Sequence, residues 1–371
     1  MNCTVSYRDG KAEVWVGTQV PVFATQAVAQ IGGIAPESVT LHTPFLGGGF
    51  GRRLEVDFIV KAALIAKAAG QPVKTLYTRE NDIRGDLFRT ASFNRFAAAL
   101  GADGLPTAWH HRIAGGSIYA RFFPPLIKNG IDDSSVEGAA DLLYAIPNQK
   151  VEAAIVDMGV PVAFWRSVGF SQNTFLVESF IDECAHAAKA DPLRYRQKLL
   201  AKDERFSRVL AAVAEQSNWA RAGKGRFRGV AAAKPFGTYV AAVVEVQMTG
   251  RREFRLSHVW VAVDTGKMVA PDVCLAQIQS GVIFGLTAAL FDQITFKNGA
   301  VEQRNFTDYR VMQLAETPPI DVRFLDSGAA PGGIGEPGVP CMAPALANAL
   351  FAATGKRLRA LPVAAQGLTL A

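Results

Sequence analysis

Apolar and polar residues alternate at the start of the chain and break at Asp9-Gly10, which predicts a β-hairpin of Val5 to Tyr7 and Glu13 to Val16. Pro21 suits the first turn of a short helix reaching Gln30, ended by Gly32-Gly33. An apolar run, Val39 to Leu46, reads as a strand and meets the glycine stretch Gly47 to Gly51. Beyond it Leu54, Phe58, Ala62, Ala66 and Ala69 recur at helical spacing up to Gly70. Further strands are predicted at Val73 to Tyr77, Phe93 to Leu100, Thr107 to Ile113 and Val151 to Val156. Tyr119 to Asn148 is aromatic, proline-rich and without a period, and reads as a long binding loop.

A helix from about Gln172 to Ala188 carries Leu176, Phe180 and Cys184 on one stripe, and Asp191-Pro192 caps the next. Val240 to Met248 and Phe254 to Val263 read as antiparallel strands joined at Gly250. Asp272 to about Leu290 is helical, a hairpin crosses Asn298-Gly299, Ile320 to Phe324 is a strand, and a last helix runs from Pro344 to Gly355. Mixed strands and helices make the fold class α+β. At 371 residues the chain exceeds the roughly 250 to 300 residues at which one core stops growing, so two lobes are expected. The basic, glycine-spaced stretch Arg221 to Gly229 sets the boundary, giving lobes 1–222 and 223–371.

Composition narrows the function classes. Apolar residues at 49% and charged residues at 19% describe an ordered globular chain. The net charge of +6 is dispersed, without a long basic stripe or interleaved aromatics, which argues against nucleic acid as a partner and leaves a small anionic molecule open. Cys3, Cys184, Cys274 and Cys341 are far apart and only His110-His111 are adjacent, so no protein-ligated metal signature exists and a metal would arrive on an organic cofactor. Neither an export signal nor a bilayer-length apolar run is read from the chain, which predicts a soluble protein, cytoplasmic or periplasmic.

The glycines carry the candidate chemistry. Four of them within five positions permit backbone angles that side chains forbid and leave amide N–H groups open to a ligand. Arg52 and Arg53 then fall in the first turn of the predicted helix, where the dipole disfavours cations and a bound anion would relieve the conflict. A P-loop is excluded because Gly51-Arg52-Arg53 stands where Gly-Lys-Ser/Thr is required, and G-x-G-x-x-G fails at Arg52. A tight structural turn between strand and helix remains the plain alternative.

The string GGGFGRRLEVDF (Gly47 to Phe58) resembles the first cofactor motif of the molybdenum hydroxylases, the xanthine dehydrogenase and aldehyde oxidase family. The likeness is strongest to large subunits of the isoquinoline 1-oxidoreductase and nicotinate dehydrogenase type, and it runs from Met1 to about Pro362. Four further stretches match in order: Phe164 to Gly169, Phe236 to Tyr239, the helix carrying Gln277, and Gly332 to Gly338. The resemblance implies a two-lobed molybdenum cofactor-binding domain with mixed sheets and packed helices. It places Gly48, Gly49, Phe50, Gly51, Gly237, Thr238, Gln277 and Gly335 against molybdopterin cytosine dinucleotide with its molybdenum, and no protein side chain on the metal.

Glu336 and Arg166 are the implied catalytic residues, the first as general base and the second orienting substrate and stabilising negative charge. The usual Gln-x-Glu-Gly of the family reads Gln277-Ile278-Gln279-Ser280 here. The implied activity is hydroxylation of N-heteroaromatic compounds, or oxidation of aldehydes, with oxygen from water. Implied partners are the N-terminal half of the large subunit, which in the family precedes the position of Met1, a small two-iron two-sulfur subunit, and as a further candidate a cytochrome c subunit. The competing reading is a catalytically silent fragment that keeps the fold and binds a partner.

Overall fold

The computed structural model describes residues 1–371, which divide into two compact units. The smaller contains Met1–Thr90, Met158–Arg166 and Ile294–Asp308. Its sheet has the order β3-β2-β1-β4, from β1 (Asn2–Arg8), β2 (Lys11–Trp15), β3 (Val39–His42) and β4 (Val73–Leu76). The β1–β2 hairpin turns at Asp9 and Gly10, both at positive φ, and β3 joins β2 in parallel. The alternation of β1 and β2 puts Cys3, Val5, Ala12 and Val14 on one buried face. On it pack Ala24 and Val28 of α1 (Pro21–Gly32) and Phe58, Ile59 and Ala62 of α2 (Asp57–Ala69). A short helix α3 (Arg79–Arg84) and a two-residue hairpin (Phe296–Lys297 with Ala300–Val301) complete the unit.

The glycine stretch departs from expectation. The strand before it ends at His42, and Arg52 to Leu54 form a 3₁₀ turn ahead of α2. Arg52 and Arg53 are therefore not in the first turn of an α-helix, and the expected clash with its dipole does not arise. Arg52 donates to both oxygens of Asp57, at 2.8 and 3.0 Å, and to Asp86, while Arg53 donates to the Gly17 carbonyl at 2.5 Å. Asp57, an acid at the first position of α2, meets the dipole favourably.

The larger unit contains Ala91–Asp157, Ser167–Gln293 and Tyr309–Ala371. One sheet is β5 (Ser92–Leu100), β6 (Pro106–Gly115) and β7 (Asn148–Ile155), the last parallel to β6. Between β6 and β7 the stretch expected to be irregular holds two single-turn helices, α4 (Ile118–Phe122) and α5 (Asp133–Val136). Next come α6 (Val168–Ala187), α7 (Pro192–Leu199) and α8 (Glu204–Gln216), then β8 (Arg226–Ala233), β9 (Tyr239–Met248) and β10 (Glu253–Asp264). Strands Ile320–Phe324 and Thr369–Leu370 both pair with β10 in parallel.

This sheet is buried on both faces, which is why its strands read as apolar runs. In β9, Val240, Ala242 and Val244 meet α9 (Pro271–Leu290) and α10 (Met342–Thr354), while Tyr239, Ala241 and Val243 meet α6, α7 and α8. Helix α9 is long and apolar enough by length and composition to cross a bilayer, contrary to the expectation that no such run exists. Half of its apolar window is buried, with Ile278, Val282 and Leu286 in the core of this unit. The basic stretch Arg221 to Gly229 is partly strand, since β8 starts at Arg226.

Candidate active site

In the smaller unit the glycine loop is strained at defined points. Gly48, Phe50 and Gly51 have φ of 143°, 52° and 90°. A Cβ on Gly49 would collide with Gln19 Oε1, and one on Gly51 would sit 2.8 Å from the Phe164 carbonyl, so glycine is required by close approach as well as by angle. The Gly51 N–H donates to Gln19 Oε1 at 3.2 Å. Phe50 is thereby turned outward, 41% exposed, with the Arg166 guanidinium 5.5 Å from its ring centroid. Arg166 is itself 3% exposed. The structure thus brings together Gly48, Gly49, Phe50, Gly51 and Arg166, a buried cation behind an exposed aromatic wall.

In the larger unit, two stretches about a hundred residues apart are clasped. The Thr238 hydroxyl donates to the Gly333 carbonyl at 2.5 Å and lies 2.9 Å from the Thr265 hydroxyl. The Gly333 N–H donates back to the Phe236 carbonyl at 2.9 Å, and the Gly332 N–H to that of Thr265 at 2.8 Å. Phe236 and Gly237 both take positive φ, 52° and 80°. The buried Thr238 hydroxyl is thus engaged within the protein, so what this turn offers outward is backbone.

The clasp hands the chain on to Gly335 and Glu336. Gln277 Oε1 is 3.9 Å from where a Gly335 Cβ would lie, and nothing else approaches that point. Gly338 runs against α9, where a Cβ on Gly281 would meet the Gly338 Cα at 2.9 Å. Glu336 is half-buried and held from both ends by Ser167: the Ser167 N–H donates to its Oε1 at 2.9 Å, and the Ser167 hydroxyl to its carbonyl at 2.8 Å. Ser167 caps α6 with φ of 73°, and the amide of this helix end suits an anion. Two residues on, the Gly169 N–H donates to Glu137 Oε2 at 3.2 Å. Burial and the charges of Asp141, Glu336 and Asp132 push the Glu137 carboxyl up to about 7, against the opposing pull of the Gly169 amide.

Sequence reasoning missed Gln19, Glu137, Ser167 and Thr265. The first two lie outside the matching stretches, and a serine in a left-handed cap leaves no pattern to read.

No three His, Cys, Asp or Glu side chains are gathered where they could hold a metal ion. A metal carried by an organic cofactor does fit. A Cβ at Gly237 or Gly335 would meet nothing closer than 3.9 Å, and at Gly335 the neighbouring atom is the amide oxygen of Gln277.

Residues 1–200 match the family model described as molybdopterin cofactor-binding domain, and residues 174–318 match a second model of the same description. The chain is 37% identical over 365 residues to the isoquinoline 1-oxidoreductase subunit beta of Brevundimonas diminuta, covering 96% of this chain and 47% of that one. It is 31% identical over 393 residues to a protein of Gluconacetobacter polyoxogenes named membrane-bound aldehyde dehydrogenase [pyrroloquinoline-quinone], covering 98% and 51%. Among solved structures it resembles quinoline 2-oxidoreductase from Pseudomonas putida 86, with a TM-score of 0.85 over 98% of this chain and 72% of that one; at 14% identity this is a likeness of fold. The chain spans about half the length of the curated relatives it matches. With more than half of its residues matched by the first model, this chain belongs to the molybdopterin cofactor-binding domain family, and its cofactor is a molybdenum–molybdopterin.

Proposed function

We propose that this chain is the cofactor-binding part of a molybdenum-dependent oxidoreductase that hydroxylates N-heteroaromatic compounds with oxygen from water, aldehydes being the second substrate class. The observation that carries the reading is Glu336, anchored by Ser167 at the end of α6 and following Gly335, whose Cβ position lies 3.9 Å from Gln277 Oε1. The names of the relatives support both substrate classes, isoquinoline for one and aldehyde for the other. The silent binding module has no observation in its favour.

In the smaller unit the proposed cofactor residues are Gly48, Gly49, Phe50 and Gly51. In the larger they are Gly237, Gln277 and Gly335, with Thr238 fixing the Gly237 turn. Molybdopterin cytosine dinucleotide is the form proposed. Once bound, the group supplies the two-electron oxidation. Glu336 acts as general base: Ser167 fixes Oε1 and no hydrogen bond holds Oε2, which is left to accept a proton. Phe50 forms a wall against which a flat heteroaromatic ring stacks. Arg166, buried behind it, orients the substrate and stabilises the negative charge that develops on it.

The proposed partners are the remaining part of a large subunit, a two-iron two-sulfur subunit that removes electrons, and a cytochrome c subunit. The division into cofactor-binding lobes at 222/223 is likewise proposed. It marks where the five-stranded sheet begins and differs from the division by packing.

The test is Glu336→Gln in the complete assembly, with turnover and molybdenum content measured on the same preparations. Loss of a general base lowers the rate by ~10²- to 10⁴-fold. Metal content is expected to stay at the wild-type level. Near-wild-type turnover would show that Glu336 is not the base, and parallel loss of metal and activity would make it a structural element.

A further inference from the structure

Glu137 lies outside the five short motifs named above, yet it shares a helix end with the candidate base. Ser167 and Val168 both take left-handed angles, φ of 73° and 44°, which turns the first amides of α6 outward. The Ser167 N–H goes to Glu336 and the Gly169 N–H to Glu137. Glu137 is built into place. Asn173 of α6 donates its side-chain amide to the Glu137 carbonyl at 2.8 Å and to that of Ser135 at 2.9 Å. A Cβ on Gly169 would collide with the Ser134 carbonyl and lie 3.0 Å from the Glu137 Cβ, so glycine alone lets α5 and α6 approach this closely.

We propose that Glu137 is a positioning residue for Glu336: the two carboxyls occupy amides of the same α6 turn, and Glu137 keeps its proton so that one negative charge, that of Glu336, rests there. The inference rests on the reading of Glu336 as base.

The charged and titratable surroundings agree. Asp132 caps α5, Asp141 follows it, Glu336 comes from the glycine loop, and Tyr119 of α4 senses the charge of Glu137. The charged groups that act most strongly on Glu137 are the carboxylates of Asp141, Glu336 and Asp132, and the Gly169 amide favours its anion. Burial first, and then the neighbouring carboxylates, make one of the two carboxyls on this helix end hold its proton up towards neutral pH. The one that does is Glu137, pushed up to about 7. Below that pH a neutral Glu137 leaves the Ser167 amide and the helix dipole to Glu336; above it a second charge competes for both.

The first measurement uses the full chain with ¹³C-labelled glutamate carboxyls, Glu137 being assigned from the resonance that changes in Glu137→Gln or Glu137→Asp. Its midpoint is expected near 7 and should fall measurably in Glu336→Gln. The second uses the complete, cofactor-loaded assembly. The wild-type pH–rate profile should carry an inflection near 7 that Glu137→Gln lacks, with the plateau rate kept within a few fold. An unchanged midpoint in Glu336→Gln, or an inflection that survives in Glu137→Gln, overturns the proposal. Full turnover by Glu336→Gln would instead remove Glu336 as base, while the coupling of the two carboxyls would still be decided by the carbon titration alone.

Discussion

Replacing Glu137 by glutamine removes an ionisation that the folded state disfavours, and the effect on stability has a calculable sign. An ordinary glutamate titrates near 4.5, and in the fold this one is pushed up to about 7 by burial and by its carboxylate neighbours. Between those two values the native chain holds a proton that the unfolded chain has released. Stability therefore falls as pH rises through the window, and the penalty is fully present above 7. A gap of about 2.5 pH units at 1.36 kcal/mol each sets a ceiling of about 3.4 kcal/mol. Glu137 is only half-buried, so solvent screening reduces this to about 1–2 kcal/mol. The side-chain amide that replaces the carboxyl keeps an oxygen for the Gly169 N–H, so the substitution isolates the charge. Urea unfolding of wild type and Glu137→Gln at about pH 5 and about pH 8 measures the difference. The two chains should be close in stability at the lower pH, and the variant more stable by about 1–2 kcal/mol at the higher. Other titrating groups cancel in the comparison, so parallel stability profiles across that range would refute the burial argument.

Two further substitutions probe neighbouring parts of the larger unit. Gly332→Ala places a Cβ 2.5 Å from Thr238 Oγ1 and 2.9 Å from the Gly237 carbonyl carbon, which should break the clasp, cost about 1–3 kcal/mol and lower molybdenum content, read by elemental analysis beside urea unfolding. His111 is fully buried, stacked 3.8 Å from Phe96 and hydrogen-bonded to Asn94, and burial together with the neighbouring His110 pushes its imidazole down to about 4. Its folded affinity for protons is below its unfolded one, so stability is lost as pH falls from 6.5 towards 4; His111→Phe should be less acid-sensitive by on the order of 2 kcal/mol at pH 4, measured by unfolding across that range.

Regular elements with a period are legible because their burial is one-sided or complete. The β1–β2 alternation, the apolar runs of β9 and β10, and the stripe of α6 each follow from which face meets the core. Legibility fails where a short element is defined by contacts far away in sequence. Helices α4 and α5 hold five and four residues, too few to show a period, so the stretch that delivers Glu137 reads as a loop. Arg52 reads as part of a helix start because its partner Asp86 lies 34 residues on and no local pattern joins them. The start of α6 reads four residues late for a related reason: Ser167 and Val168 are a serine and a β-branched residue in left-handed angles, where sequence would put a glycine or an asparagine.

That local misfit bears on how the candidate base is held. Left-handed non-glycine residues cost on the order of 1–3 kcal/mol each and persist only where the surroundings over-determine them. Here both Ser167 bonds to Glu336 and the Gly169 bond to Glu137 depend on that twist, since it exposes the amides that a regular helix start would direct along its axis. Glu336 is meanwhile fixed from the other side by backbone contact of Gly338 with Ile278 and Gly281 of the buried helix α9. A carboxylate on a glycine-rich loop would ordinarily wander through several rotamers. With its main chain pressed on one helix and its main-chain oxygen and carboxylate bonded to the start of another, this one is held at Oε1 and at its carbonyl, which limits the positions its second oxygen can take.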